Sequence, residues 1–187
     1  MIIQKYLPVP SLRRPGLKIL KVKYITCHDT GNLNSTALQN VDYYIRSANE
    51  MQTSAHTFID DKVIIECIPD TEKAYHVRRV MSNAIDEALA PELCYFTDLE
   101  RSKLAYNSYV EYIKAWCVKH KLNPATDIVG HYKLDPTRRT DPLNAFSRIG
   151  KTWEQFIQDL TPANGNKNVI LKKIDELRKL VEESIIS

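Results

Sequence analysis

The hydrophobic pattern along the 187-residue chain switches repeatedly between a strand-like and a helix-like period. Residues 22–28 (VKYITCH) form a run rich in β-branched and aromatic side chains and predict a first strand. Asp29-Thr30-Gly31-Asn32 ends it with turn chemistry. Between residues 35 and 45, Leu38, Val41, Tyr44 and Ile45 recur at helical spacing, with Ser35 as the expected cap. Residues 54–60 and 62–68 predict a hairpin turning at Asp60-Asp61-Lys62, and residues 92–96 a fourth strand. The longest helical pattern covers residues 100–120, with Leu104, Tyr109, Ile113, Trp116 and Cys117 expected to face a core. Pro124 closes that region, Ile128-Val129 predicts a short last strand, and residues 152–160 a helix carrying Trp153 and Phe156.

Two ends remain. Residues 1–20, with Pro8, Pro10 and Pro15 among basic residues, read as an extended arm or loop. Residues 161–167 read as a linker, and 168–187 as an amphipathic helix with its stripe on Ile170, Ile174, Leu177 and Val181. That helix is expected to dock on its own domain, to mediate self-association, or to begin a spacer to a wall-binding module. The domain itself is expected to span residues 1–160. Strands and helices mixed in this order predict an α/β or α+β class with a mixed sheet.

Composition narrows the function only slightly. Lys+Arg 26 against Asp+Glu 23 gives a net charge of +3, too small to argue for nucleic acid. No apolar run is long enough to span a membrane. The prolines and basic residues of the N-terminus interrupt any signal-peptide core, so synthesis in the cytoplasm is expected. Four well-separated cysteines, Cys27, Cys67, Cys94 and Cys117, form no CxxC pair and are expected to be free, buried thiols.

Candidate chemistry concentrates at strand ends, where a rigid scaffold presents side chains to a cleft. His28 and His131 each end an apolar run and open a polar turn, whereas His120 sits at the polar end of a helix, where its charge suits the helix C-terminus. After His131 come Asp135, Arg138, Arg139 and Asp141 within ten positions. Two imidazoles and one carboxylate form a donor set suited to Zn²⁺ with a fourth position for water. His28, His131 and either Asp135 or Asp141 meet that requirement, and spacing does not choose between the aspartates.

The blocks YITCHDTGN, SAHTFIDD, AYH, PELCYF and GHYKLDPTRRTDP, in this order, resemble the zinc-dependent N-acetylmuramoyl-L-alanine amidases of the amidase-2 family. That family includes phage endolysins, cytoplasmic anhydromuropeptide amidases and animal peptidoglycan recognition proteins. The resemblance covers roughly residues 20–160 and is strongest to phage or prophage endolysin catalytic domains. It implies an α/β fold with a mixed, mainly parallel central β-sheet flanked by helices.

It also implies His28, His131 and Asp141 as zinc ligands, with Asp135 left as a turn residue or a support behind them. No cysteine follows Cys117, which agrees with an aspartate as third ligand. Glu92 takes the place of the family's general base. Pro91, just before it, cannot donate a ladder hydrogen bond and so predicts a sheet edge or a bulge. Arg139 stands where many relatives carry lysine, which leaves it electrostatic stabilisation of an oxyanion. His56 and His76 are expected to position substrate or support the ligands. Asp29 or Asp135 is expected to accept the second N–H of a ligating imidazole. The segment from Arg78 to Leu89 lacks the family's usual Gly- and Asn-rich loop, so no substrate contacts transfer there.

The implied activity is hydrolysis of the amide between N-acetylmuramic acid and L-alanine in bacterial peptidoglycan, with Zn²⁺ as cofactor, by a lysin released through a holin to the cell wall. The alternatives are a cytoplasmic muropeptide-recycling amidase and a non-catalytic peptidoglycan-binding module.

Overall fold

A computed structural model describes residues 1–78 and 87–161. The expected C-terminal helix, nearly all of the linker and most of the segment between Arg78 and Leu89 lie outside the described residues.

The centre of the molecule is β2 (Tyr24–Asp29), in which every residue after Tyr24 is buried. A strand covered on both faces needs the continuous apolar run seen in the sequence rather than an alternating one. On one side β2 pairs in parallel with β7 (Ile128–Gly130), in register Ile25↔Ile128 to Cys27↔Gly130. On the other it pairs in parallel with β5 (Ala88–Leu89) and β6 (Pro91–Leu93). Beyond β6 lie β3 (Thr57–Ile59), parallel to it, then β4 (Ile64–Glu66), antiparallel to β3. At the outside β1 (Ile2–Gln4) runs parallel to β4. The sheet is therefore mixed and mainly parallel, and the β3–β4 hairpin supplies its single antiparallel pairing among the described strands.

Helix α1 (Ala37–Arg46) packs on β3 and β4, and α2 (Leu99–His120) on β6 and β3. The short α3 (Pro124–Asp127) leads into β7, and α4 (His131–Leu134) begins where β7 ends. Then α5 (Leu143–Arg148) and α6 (Trp153–Leu160) close the core against α2, where Tyr109, Phe146 and Phe156 are fully buried. All four cysteines are free and buried.

Several expectations need correction. Thr36, not Ser35, caps α1, because Thr36 stands three residues before Gln39 and the two form a reciprocal capping box. Leu104 is 54% exposed. The buried stripe of α2 runs through Ser102, Ala105, Tyr109, Ile113 and Trp116, with Leu104 beside it. The arm is no loose extension. It contributes β1, buries Leu7, and drives Arg14 onto Glu72 at 2.8 Å. Pro91 lies neither at an edge nor in a bulge, since β6 sits between β2 and β3. The register Tyr24↔Ala88 continues unshifted to His28↔Glu92, so no residue is inserted. Pro91 instead opens β6 after a break at Ala90, and the first residue of a strand tolerates its missing N–H.

Candidate active site

Parallel strands gather their carboxyl ends at one edge, where ligand sites of open α/β sheets form. Here the register sets Glu92 of β6 directly across from His28 of β2. One residue past the Cys27↔Gly130 pair, His131 begins α4 beside His28. Gly130 is required for close approach: a Cβ there would lie 2.5 Å from the Tyr132 ring. The chain then turns at Asp135, whose carbonyl accepts the N–H groups of Arg138 and Arg139. It returns so that the Asp141 carbonyl accepts from the Tyr132 N–H at 3.0 Å, which presents the Asp141 carboxylate to both histidines.

One oxygen of Asp141 lies 2.8 Å from His28 Nδ1 and 3.0 Å from His131 Nδ1. All three residues are buried, and their candidate ligand atoms lie within 4.8 Å of one another. Burial alone would raise the Asp141 pKa, but hydrogen bonds from His131 and His28 outweigh it and hold the carboxyl well below the usual range. Burial pushes His28 down, with the Asp141 hydrogen bond opposing. Two neutral imidazoles and an ionised carboxylate are the donor set of a zinc site with an open position. The geometry fits that ion and brings Asp141, rather than Asp135, of the two aspartates left open by spacing, to both histidines.

His28 Nε2, on the far side of the ring, lies 3.1 Å from His76 Nδ1. His76 thus stands behind the His28 ring and can fix its orientation. Neither aspartate does so. Asp29 accepts from the N–H groups of Gly31 and Ala145, tying the end of β2 to the first turn of α5. Asp135 is a turn residue whose buried Oδ2 lies 3.8 Å from Arg138 Nε and 3.9 Å from Arg78 Nε. His56 also departs from expectation. Its Nδ1 accepts the Ala90 N–H at 2.9 Å and its Nε2 donates to the Glu72 carbonyl at 2.8 Å. Both nitrogens are engaged by backbone and the ring is fully buried, so His56 has nothing left to offer substrate. It fills the break between β5 and β6.

Glu92 Oε2 is buried with no hydrogen-bond partner among the described residues. Burial, then the charges of Asp141 and Asp29, push its pKa well above the ordinary glutamate value, with Arg139 opposing. A cavity of about 270 Å³ opens over these groups. Arg138, Arg139, Tyr44, Thr53 and Ser54 are among the residues that line it. Tyr44 was missed as a cavity residue because it shares the apolar spacing of α1, and period alone does not separate a core contact from a cavity wall.

Residues 18–144 match the model of the family described as N-acetylmuramoyl-L-alanine amidase. The chain belongs to that family. A relative from Bacillus licheniformis described as a probable N-acetylmuramoyl-L-alanine amidase is 30% identical over 92% of this chain and 55% of its own. The chain thus spans about half the length of the curated amidases it matches first. Among solved structures, the catalytic domain of XlyA superposes with a TM-score of 0.73 at 24% identity, covering 86% of this chain and 99% of that one. A mutant endolysin from Bacillus subtilis gives 0.73 at 25%, with coverages of 86% and 99%. These amidase-family structures share the mixed sheet and its flanking helices. No helix among the described residues is long and apolar enough to cross a membrane.

Proposed function

We propose that this chain is a zinc-dependent amidase of the endolysin type, cleaving the bond between the lactyl carbonyl of N-acetylmuramic acid and L-alanine in bacterial peptidoglycan. The observation that carries this reading is the unpartnered Glu92 carboxylate, set by strand register beside the buried His28–His131–Asp141 trio. Family membership and the likeness to an endolysin support the substrate. Its place of action is accordingly the cell wall.

His28 Nδ1, His131 Nδ1 and Asp141 would hold Zn²⁺, which when bound supplies Lewis-acid polarisation of the carbonyl and a lowered pKa for water. Glu92 takes one proton from the attacking water as its oxygen bonds to the carbonyl carbon. When the C–N bond breaks, Glu92 returns that proton to the amine nitrogen of alanine. A buried carboxyl whose pKa is raised by burial and by neighbouring carboxylates suits both halves of this exchange. Arg139 is exposed on the cavity rim and its positive charge is felt at Glu92 and His28. It stabilises the negative oxygen of the tetrahedral intermediate and transfers no proton.

The test joins zinc content to release of new L-alanine amino termini from purified peptidoglycan, for wild type and Glu92→Ala. The expected result is one zinc per chain in both proteins, with release in the variant slowed by roughly 10²–10⁴-fold. Absence of zinc in the wild type would overturn the site. Zinc with release only from soluble muropeptides would turn the reading to a recycling amidase.

A further inference from the structure

Among the described residues the largest fully buried side chain is Arg13, on the N-terminal arm and outside the family-matched residues 18–144. A buried guanidinium ordinarily has a carboxylate beside it. Arg13 has none among the described ion pairs. Its Nε donates to the Ser47 carbonyl at 3.0 Å, one terminal nitrogen to Ser47 Oγ at 2.8 Å, and the other to the Thr53 carbonyl at 2.5 Å. The guanidinium carbon lies 4.2 Å from the centroid of the Tyr44 ring. The arm is anchored around it, since the Arg13 N–H donates to the Ala48 carbonyl at 3.0 Å.

Two of these partners share one property. Tyr44 and Thr53 both line the cavity over the candidate zinc ligands, and Ser54, also lining it, follows Thr53 directly. Ser47 ends α1 one turn beyond Tyr44. One rigid, planar cation therefore joins the last turn of α1 to the segment before β3. A lysine could replace the charge but neither the fork nor the stacking.

We propose that Arg13 is a positioning residue for substrate binding, holding Tyr44 and the Thr53–Ser54 segment as a single wall of the catalytic cavity. The Tyr44 hydroxyl makes no hydrogen bond among the described residues, so that wall presents a free donor to whatever the cavity holds. Burial and the Glu92 charge raise the Tyr44 pKa, and the cation behind the ring opposes them. The hydroxyl thus stays protonated and available to donate. Because Tyr44, Thr53 and Ser54 line the cavity but neither hold the candidate metal ligands nor carry a proton in the reaction, loss of their wall removes binding shared by ground and transition states. That raises KM and spares kcat.

This inference rests on the amidase reading above, and its test separates the two. Arg13→Lys, Tyr44→Leu and the double variant are assayed for kcat and KM on a soluble muramoyl dipeptide, beside thermal melting. Arg13→Lys should raise KM about 10-fold with kcat held within about 2-fold. The double variant should be no worse than the poorer single one, since each breaks the same wall. Additive effects, or a lowered melting temperature with KM unchanged, would overturn the role and leave Arg13 a packing residue. Should Arg13→Lys fail to fold, an unchanged KM in Tyr44→Leu overturns it equally. A wild type that cleaves nothing overturns the amidase reading and this role with it. Cleavage by the wild type with neither variant altered in KM overturns this role alone.

Discussion

His28 and His56 approach the same broken strand from opposite sides. His56, from the β3 side, binds the Ala90 N–H in the gap between β5 and β6. His28, from the β2 side, lies in register with Glu92 two residues on. Both are buried, yet they differ in what their nitrogens meet. His56 closes both on backbone groups, so its hydrogen-bonding capacity is spent on the fold. His28 turns one nitrogen to a carboxylate oxygen that it shares with His131, beside an unpartnered Glu92 oxygen. Buried polar groups are normally satisfied. An unpartnered carboxylate oxygen beside two histidines and a second carboxylate marks where a metal and a substrate fit.

The sharpest way to break this contrast is to remove the shared carboxylate. Asp141→Ala leaves His28 and His131 facing one another with no anion between them. We expect zinc content to fall to background and activity by roughly 10³-fold or more, as when a principal electrostatic group is lost. Metal analysis of the folded variant alongside the amino-terminus assay checks both. Zinc retained at one per chain in Asp141→Ala would return Asp135 to consideration as the ligand.

That choice between aspartates shows where the sequence was legible and where it stopped. The 22-residue α2 has room to repeat its period six times, and β2 concentrates β-branched and aromatic residues, so both are readable locally. His28 and His131 announce themselves as polar residues ending apolar runs. Nothing local marks β1, three residues whose strand character comes from pairing with β4 sixty residues away. The same holds for His56: its partners Glu72 and Ala90 lie 16 and 34 positions off, so a motif block placed it in the cleft when it belongs to the sheet. Arg13 reads as one more basic residue of a proline-rich arm, and only tertiary contacts with Ser47, Thr53 and Tyr44 distinguish it.

The second test acts on the satisfied side. His56→Leu strands the Ala90 N–H and the Glu72 carbonyl in the core, which should cost about 3 kcal/mol at neutral pH, while zinc per folded chain stays at the wild-type value. The pH dependence should change as well. Burial lowers the His56 pKa to about 4, against the raising effects of the Glu72 hydrogen bond and nearby acidic charges. An unfolded histidine titrates near 6.5. Between these values the unfolded chain binds the extra proton, so the stability contribution is full above about pH 6.5 and is lost as pH falls toward 4. The gap corresponds to about 3 kcal/mol. Urea denaturation from pH 7 to 4 should therefore show a smaller decline in His56→Leu than in wild type. Equal declines would mean that the ring does not titrate as a closed, neutral group.

The smallest expected effect is at Asp29, which belongs to both sides of the contrast. Its oxygens are occupied by the Gly31 and Ala145 N–H groups, as those of a structural residue should be, yet its charge is felt at Glu92 and raises that pKa. Asp29→Asn keeps one carbonyl acceptor and removes the charge. The hydrogen-bond loss should cost about 1–2 kcal/mol. The electrostatic consequence has a definite sign: without Asp29's negative charge the Glu92 carboxylate forms at lower pH. As Glu92 must be ionised to accept the proton of water, the acid limb of the pH–rate profile should move down by a fraction of a unit, with kcat on the plateau little changed. A limb that does not move would confine Asp29 to anchoring α5. A limb that moves up would show that the group titrating there is not Glu92, since a base relieved of a neighbouring negative charge cannot become harder to ionise.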